Sequence, residues 1–133
     1  MRIKSGLAYR TNTSPFFTII KYLSSVGGRI IQVSTDYVFS GEVGKYGEYD
    51  KREPISVYGR SKMKAEDIII SSGIDFTIIR TSGIFGVRES SGKVNFFLWV
   101  YRSLLNRKEI SVVKDQYYPP TMNKYLAKAI AEI

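Results

Sequence analysis

The 133-residue sequence contains no cysteine and no histidine. The first absence excludes disulfide scaffolds, thiol nucleophiles, iron–sulfur clusters and thiolate zinc sites. The second removes nearly every remaining transition-metal site and all imidazole acid–base chemistry. Any reaction is left to Tyr, Lys, Asp, Glu, Ser and Thr. No stretch approaches the ~18 consecutive apolar residues of a membrane-spanning helix, so a soluble, cytoplasmic protein is expected. Repeats of fixed period, low-complexity tracts and linker-like runs are missing as well. The first 25 residues are basic, hydroxyl-rich and free of acid, as in organellar transit segments, but carry no cleavage pattern.

What is present, 44% hydrophobic and 24% charged residues, fits one small globular domain spanning residues 1–133. A chain of this size buries about two thirds of its unfolded surface, enough for a modest core. The net charge of +8 divides into +5 over residues 1–35, −1 over 36–68 and +4 over 69–133. No like-charged run forms, and no basic cluster is interleaved with aromatics. This distribution favours a solvated basic surface or small anionic ligands over nucleic acid.

Residues 1–13 read as irregular. Ser14-Pro15 supplies a cap and first turn for a helix whose apolar positions Phe17, Ile20 and Leu23 carry it to a stop at Gly27-Gly28. Arg29 to Ser34 is a short β-branched run between glycine and Ser-Thr-Asp, which predicts a strand buried on both faces. Gly41 to Pro54 predicts a long surface loop with room for a short hairpin. Its Glu48, Asp50 and Glu53 are solvated, offering at most a weak Mg²⁺ site. A helix over Ser56 to Ser71 and a second buried strand over Asp75 to Arg80 follow. Then come an amphipathic helix over Phe96 to Asn106, a short strand over Ile110 to Lys114 and a last helix over Asn123 to Ile133. Phe96, Phe97, Trp99 and Tyr101 read as core and interface, not as a stacking platform. The alternation predicts an α/β fold, a parallel sheet covered by helices on both faces.

Ligands of such sheets bind beyond the carboxyl ends of the strands. The first strand delivers Ser34-Thr35-Asp36-Tyr37 there and the second Thr81-Ser82-Gly83-Ile84-Phe85-Gly86. The helix between them begins near Tyr58, with Lys62 one turn on and on the same face. An ammonium beside a phenol favours the phenolate by Coulomb attraction. With a hydroxyl from Ser34 or Thr35, the pair makes a histidine-free acid–base site for carbonyl reduction or its reverse. The spacing alone is weak, since 10 Tyr among these residues give about 0.8 Tyr-x-x-x-Lys pairs by chance. Placement at the start of a helix, after a strand ending in Ser-Thr, carries the information.

Three strings are more specific: Ile31 to Gly41 (I-Q-V-S-T-D-Y-V-F-S-G), Pro54 to Lys62 (P-I-S-V-Y-G-R-S-K) and Ile79 to Gly86 (I-R-T-S-G-I-F-G). Together they closely resemble the dTDP-4-dehydrorhamnose reductase family, which are extended short-chain dehydrogenase/reductases, from about Ser14 to Ile133. The resemblance implies a partial Rossmann-like parallel sheet and an NADP(H)-dependent reduction of a 4-keto sugar nucleotide, a dTDP-sugar. It implies that Thr35 helps bind the sugar carbonyl, that Tyr58 donates the proton and contacts the cofactor, and that Lys62 holds the nicotinamide ribose. Ser34 and the Arg80-Thr81-Ser82 strand end would line the nicotinamide pocket. The sugar nucleotide would lie against Asp36, Tyr37 and the Tyr118 to Thr121 segment, Pro120 and Thr121 included.

The glycine-rich turn with which that family receives a dinucleotide, G-x-x-G-x-x-G, does not occur in the sequence, and Gly27-Gly28 precede a strand instead of following one. The chain reads as the catalytic half of such a reductase, truncated at both ends, with impaired cofactor binding and little activity alone. A non-catalytic interaction or regulatory subunit of the same fold is the other reading. The Arg29 to Ser34 strand, short of one sheet neighbour, is expected to join copies of the chain into a homo-oligomer.

Overall fold

The computed structural model describes residues 2–86, 94–117 and 119–133. Its elements are α1 (Arg2–Asn12), α2 (Pro15–Val26), β1 (Ile30–Thr35), a 3₁₀ turn (Asp36–Val38), α3 (Val57–Ile70), β2 (Phe76–Thr81), β3 (Ile84–Phe85), α4 (Phe96–Leu105), β4 (Thr121–Met122) and α5 (Asn123–Glu132). They fall into two compact units, Met1–Thr81 and Ser82–Ile133. No helix among the described residues is long and apolar enough to cross a membrane.

In the first unit β1 and β2 pair in parallel, in register from Ile30 opposite Phe76 to Thr35 opposite Thr81. A parallel pair cannot be closed by a hairpin, and α3 supplies the crossover. Local chemistry sets the helix ends. Gly27, at φ 70°, closes α2 in a left-handed cap that donates its N–H to the Leu23 carbonyl. Ser56 caps α3 by accepting the Gly59 N–H at 2.9 Å. Ile30 and Ser34 of β1 are buried, and Ser34 bonds to α3, so alternate residues of the strand face that helix. Val38, Ala65 and Ile69 are fully buried and, with Ile30 and Phe39, make up the apolar core.

Residues 1–13, expected to be irregular, contain a helix. What holds α1 is tertiary: Asn12 Nδ2 donates to Ser61 Oγ at 3.0 Å and Thr13 Oγ1 to the Ser61 carbonyl at 2.8 Å, anchoring its end on α3. A local pattern does not contain that contact. In α2 the inward positions are Phe16, Ile20 and Leu23, and Phe17 points outward. The expectation that the first strand is buried on both faces fails. Both α1 and α2 pack against α3, on one side of the sheet, and Ile31 and Val33 on the other face each keep 37% of their surface exposed. No hairpin forms over 41–54.

In the second unit β3 and β4 pair in parallel, Ile84 with Thr121 and Phe85 with Met122. Asn95 caps α4, its Oδ1 accepting the Leu98 N–H at 2.9 Å, and its Nδ2 donates to the Gly86 carbonyl at 2.9 Å. Phe85 stacks on Phe97 at 4.3 Å between ring centres, and Phe96 meets both Phe97 and Trp99. Of the four aromatics expected in the core, Phe97 is half-buried against Phe85, whereas Phe96, Trp99 and Tyr101 are exposed. The strand expected over Ile110 to Lys114 is not formed: Val112 and Val113 are exposed, with no described strand paired beside them, and the sheet partner of β3 is Thr121–Met122.

Because so few apolar side chains are fully enclosed, each one matters. Replacing Ile69 by Ala should lower the unfolding free energy by about 2–5 kcal/mol, read as a shifted urea midpoint with an unchanged slope. A midpoint equal to the wild type would show that Ile69 is not in the core.

Candidate functional site

The amino end of α3 sits directly on the turn that follows β1. A Cβ at Gly59 would lie 2.1 Å from the Tyr37 carbonyl oxygen and 2.9 Å from Pro54 Cβ, so only glycine permits this approach. The approach carries Tyr58 to Tyr37, whose rings meet edge to face at 6.1 Å. Tyr58 keeps 46% exposure, which leaves its phenol available to a ligand. One turn on, Lys62 reaches back to β1 and donates from Nζ to the Val33 carbonyl at 2.7 Å. Burial pushes the Lys62 ammonium below the ordinary lysine range, and the Glu66 charge works in the opposite direction.

Thr35 ends the strand. Its hydroxyl accepts the Tyr37 N–H at 3.3 Å, capping the 3₁₀ turn, and donates to Asp36 Oδ1 at 3.1 Å. Thr81, its register partner, donates to the Ser34 carbonyl at 3.4 Å. The expected meeting of the two strand ends with the helix carrying Tyr58 and Lys62 is therefore observed within the first unit.

Ser34 is buried. Its hydroxyl donates to Glu66, a carboxylate with 0% exposure. Glu66 also receives Arg80 Nη2 at 2.8 Å, Arg80 Nε at 3.2 Å and Arg52 Nη1 at 3.0 Å, and Arg52 Nη2 donates to Asp67 at 2.8 Å. Burial pushes the Glu66 carboxyl up. Hydrogen bonds from Arg80 and Ser34, the Arg80 charge and the Arg52 hydrogen bond outweigh it, so the group sits below the usual carboxylate range. Arg80 is likewise drawn inward, donating to the Glu48 carbonyl at 2.8 Å and lying 5.2 Å from the Phe39 ring centre.

The loop between the turn and α3 is ordered by one phenol. Tyr46 stacks on Phe39 at 4.4 Å, and its Oη accepts the Gly41 and Val43 N–H groups at 3.1 and 3.2 Å while bonding Ser40 Oγ at 3.0 Å. The Ser40 bond, then the Val43 amide, hold this hydroxyl below the usual phenol range. Asp50 accepts the Gly47 N–H and Glu53 pairs with Lys51, so these exposed acids are used locally.

Asp36 and Tyr37, expected at the substrate, lie beside Thr35 and Tyr58. Ser82 is buried, Thr121 half-buried and Pro120 exposed, all three in the second unit, and Tyr118 lies outside the described residues. Arg52 and Glu66 were missed. The signal for them is a charged residue directly after the apolar run of Phe76–Thr81, because an inward Arg80 in a sheet demands an acid nearby.

The chain has counterparts among known proteins. The family model described as the RmlD substrate binding domain matches residues 4–133. The spore coat polysaccharide biosynthesis protein SpsK of Bacillus subtilis is 37% identical over 109 residues, covering 81% of this chain and 37% of that protein. A crystal structure of a dTDP-4-dehydrorhamnose reductase from Clostridium acetobutylicum superposes with a TM-score of 0.83 at 31% identity, over 97% of this chain and 45% of that one. A dTDP-4-dehydrorhamnose reductase from Bacillus anthracis, solved in complex with NADP, superposes with a TM-score of 0.71 at 35% identity, over 81% and 37%. The chain spans about two fifths of the length of the curated relatives it matches.

The depressed Glu66 carboxyl makes stability pH-dependent with a definite sign. Its contribution is complete above the ordinary glutamate range near ~4.3 and is lost as pH falls through the lower folded-state value. Urea midpoints measured between pH 7 and pH 2 should decline on that acid limb. In Glu66→Gln they should be lower at neutral pH, with a shallower limb that converges on the wild type at the acid end. An equally steep limb in the variant would assign it to other groups.

Proposed function

The chain belongs to the RmlD substrate binding domain family, that of the dTDP-4-dehydrorhamnose reductases, and from that premise we propose that it carries the catalytic end of an NADP(H)-dependent reductase of a 4-keto dTDP-sugar. The supporting observation is the seating of Tyr58 and Lys62 one turn apart at the start of α3, with Lys62 tied to the Val33 carbonyl and Thr35 at the adjoining strand end. In this reading the Tyr58 phenol delivers a proton to the sugar carbonyl oxygen, and the Thr35 hydroxyl turns its single proton from Asp36 Oδ1 to that oxygen. Asp36 and Tyr37, beside Thr35 and Tyr58, border the sugar.

The residues present fit the nicotinamide-ribose end of the cofactor. An ammonium has three donors, and the Val33 carbonyl uses one, leaving two for ribose hydroxyls. Thr81 and Ser82 stand at the second strand end, while the Ser34 hydroxyl, bound to Glu66, shapes the pocket from behind. NADPH supplies the hydride when bound. The sequence has no glycine-rich cradle for the pyrophosphate, so the 133-residue chain binds NADPH weakly and turns over slowly by itself. We place this activity in the cytoplasm.

The exposed Ile31 and Val33 face, beside a strand that pairs only with β2 among the described residues, supports assembly of two copies through β1.

Calorimetric titration with NADPH and with a dTDP-sugar tests the reading. Weak binding should be detected and disappear in the Tyr58→Phe, Lys62→Ala double variant, and Tyr58→Phe alone should cut any turnover about 10²–10⁴-fold. Absence of cofactor and sugar binding, with a stably co-purifying second chain, would instead establish the regulatory-subunit reading. Sedimentation at micromolar concentration should show a dimer that Val33→Lys dissociates; a wild-type monomer would refute assembly through β1.

A further inference from the structure

We propose that Glu66 is the positioning residue of this site, a buried carboxylate that fixes the α3 face carrying Lys62 against the carboxyl end of β1. The inference rests on the reductase reading for what Lys62 would hold, but its geometry stands on the first unit alone. Glu66 lies one turn after Lys62 on α3. Its carboxylate accepts the Ser34 hydroxyl, and the residue before Ser34, Val33, offers the carbonyl on which Lys62 Nζ rests. Two side chains of one helix face thus grip two successive residues of one strand. Neither grip can slide by a residue without breaking the other.

The carboxylate is itself held from two further elements, by Arg80 of β2 and by Arg52 of the loop before α3. Glu66 therefore joins four segments of the first unit: the first strand, the second strand, the entry loop and the helix that carries it. A residue whose only task was to fill space would need none of these partners, and an apolar side chain of similar volume would fill it without the cost of burying charge. The charge acting on Lys62 is that of Glu66 on its own helix, which is itself paired with Arg80 and Arg52; Val33 and Ser34 of β1 present neutral groups.

The test uses the full chain with ¹³C-labelled lysine and follows the Lys62 ε-carbon resonance through a pH titration, in wild type, Glu66→Gln, Glu66→Ala and Ile69→Val. Glu66→Gln keeps an acceptor for Ser34 and removes the charge. Its Lys62 should titrate further below the ordinary lysine range than in wild type, and acylation of Lys62 at fixed pH should quicken about twofold, the size of a helical (i, i+4) charge coupling. In Glu66→Ala the Lys62 resonance should broaden or move to the position of an exposed lysine as the seat on Val33 loosens. Ile69→Val, a mild core defect in the same helix, should lower stability and leave Lys62 unmoved. Should Glu66→Ala fail to fold, Glu66→Gln alone decides. An unaltered Lys62 titration and acylation rate in Glu66→Gln, or an equal change in Ile69→Val, overturns the proposal.

A parallel NADPH titration separates the two readings. NADPH binding with a Lys62 indifferent to Glu66 sinks the positioning role and keeps the reductase. A Lys62 that responds to Glu66 in a chain with no affinity for NADPH keeps the positioning role and sinks the reductase.

Discussion

A carboxylate with no solvent contact dictates how the first unit is put together. An isolated buried ion costs several kcal/mol after relaxation, so Glu66 requires cations brought to it. They come from opposite directions along the chain, Arg52 from the loop before α3 and Arg80 from the strand after it, with the Ser34 hydroxyl completing the shell. Replacing such a cluster with well-packed apolar residues is often neutral or stabilising. What the charges impose is a single register: β1, β2, the entry loop and α3 fit together only where all four donors reach one carboxylate. The chemistry proposed for Tyr58 and Lys62 depends on that register more than on total stability.

Much of this frame is visible in the sequence. The β-branched run before Ser34, the apolar run before Thr81 and the glycine stops are local signals, and the two strands, α2 and α3 lie within a residue or two of where those signals place them. Tyr58 and Lys62 are legible for the same reason, since helical spacing and the strings around them are short-range facts. The Glu66 cluster is not. Between Lys64 and Asp67 a glutamate reads as one more solvated charge, and its burial depends on arginines 14 residues away on either side. The helix α1 escapes for a related reason, being fastened by Asn12 and Thr13 to Ser61 nearly fifty residues later. Segment 110–114 shows the converse: β-branched residues with strand propensity stay irregular where no neighbouring strand accepts their hydrogen bonds.

The burial pattern of β1 has a similar explanation. A β-branched run suits a strand enclosed on both faces, and parallel strands are ordinarily enclosed that way. Here all the helices of the unit stack on one side, so the composition of Ile31 and Val33 belongs to an environment that this unit alone does not supply. Composition records the environment a strand is suited to, and the coordinates record the one it has within its own unit. The difference between them locates the surface on which assembly is proposed.

Chemistry and affinity are separable in such a site. The phenol, the ammonium and the strand-end hydroxyl all lie between Thr35 and Lys62, and their relative placement is set by Gly59 against the Tyr37 carbonyl and by Lys62 on the Val33 carbonyl. None of these constraints involves a glycine-rich phosphate turn. The proton transfer proposed here thus asks only for a short βα segment, whereas holding a dinucleotide requires amide groups that cradle its pyrophosphate. A correctly placed phenol accelerates nothing until donor and acceptor are held beside it. Under the proposed function, the rate of such a chain is governed by how long its ligands stay, and the placement of Tyr58 and Lys62 sets what happens while they do.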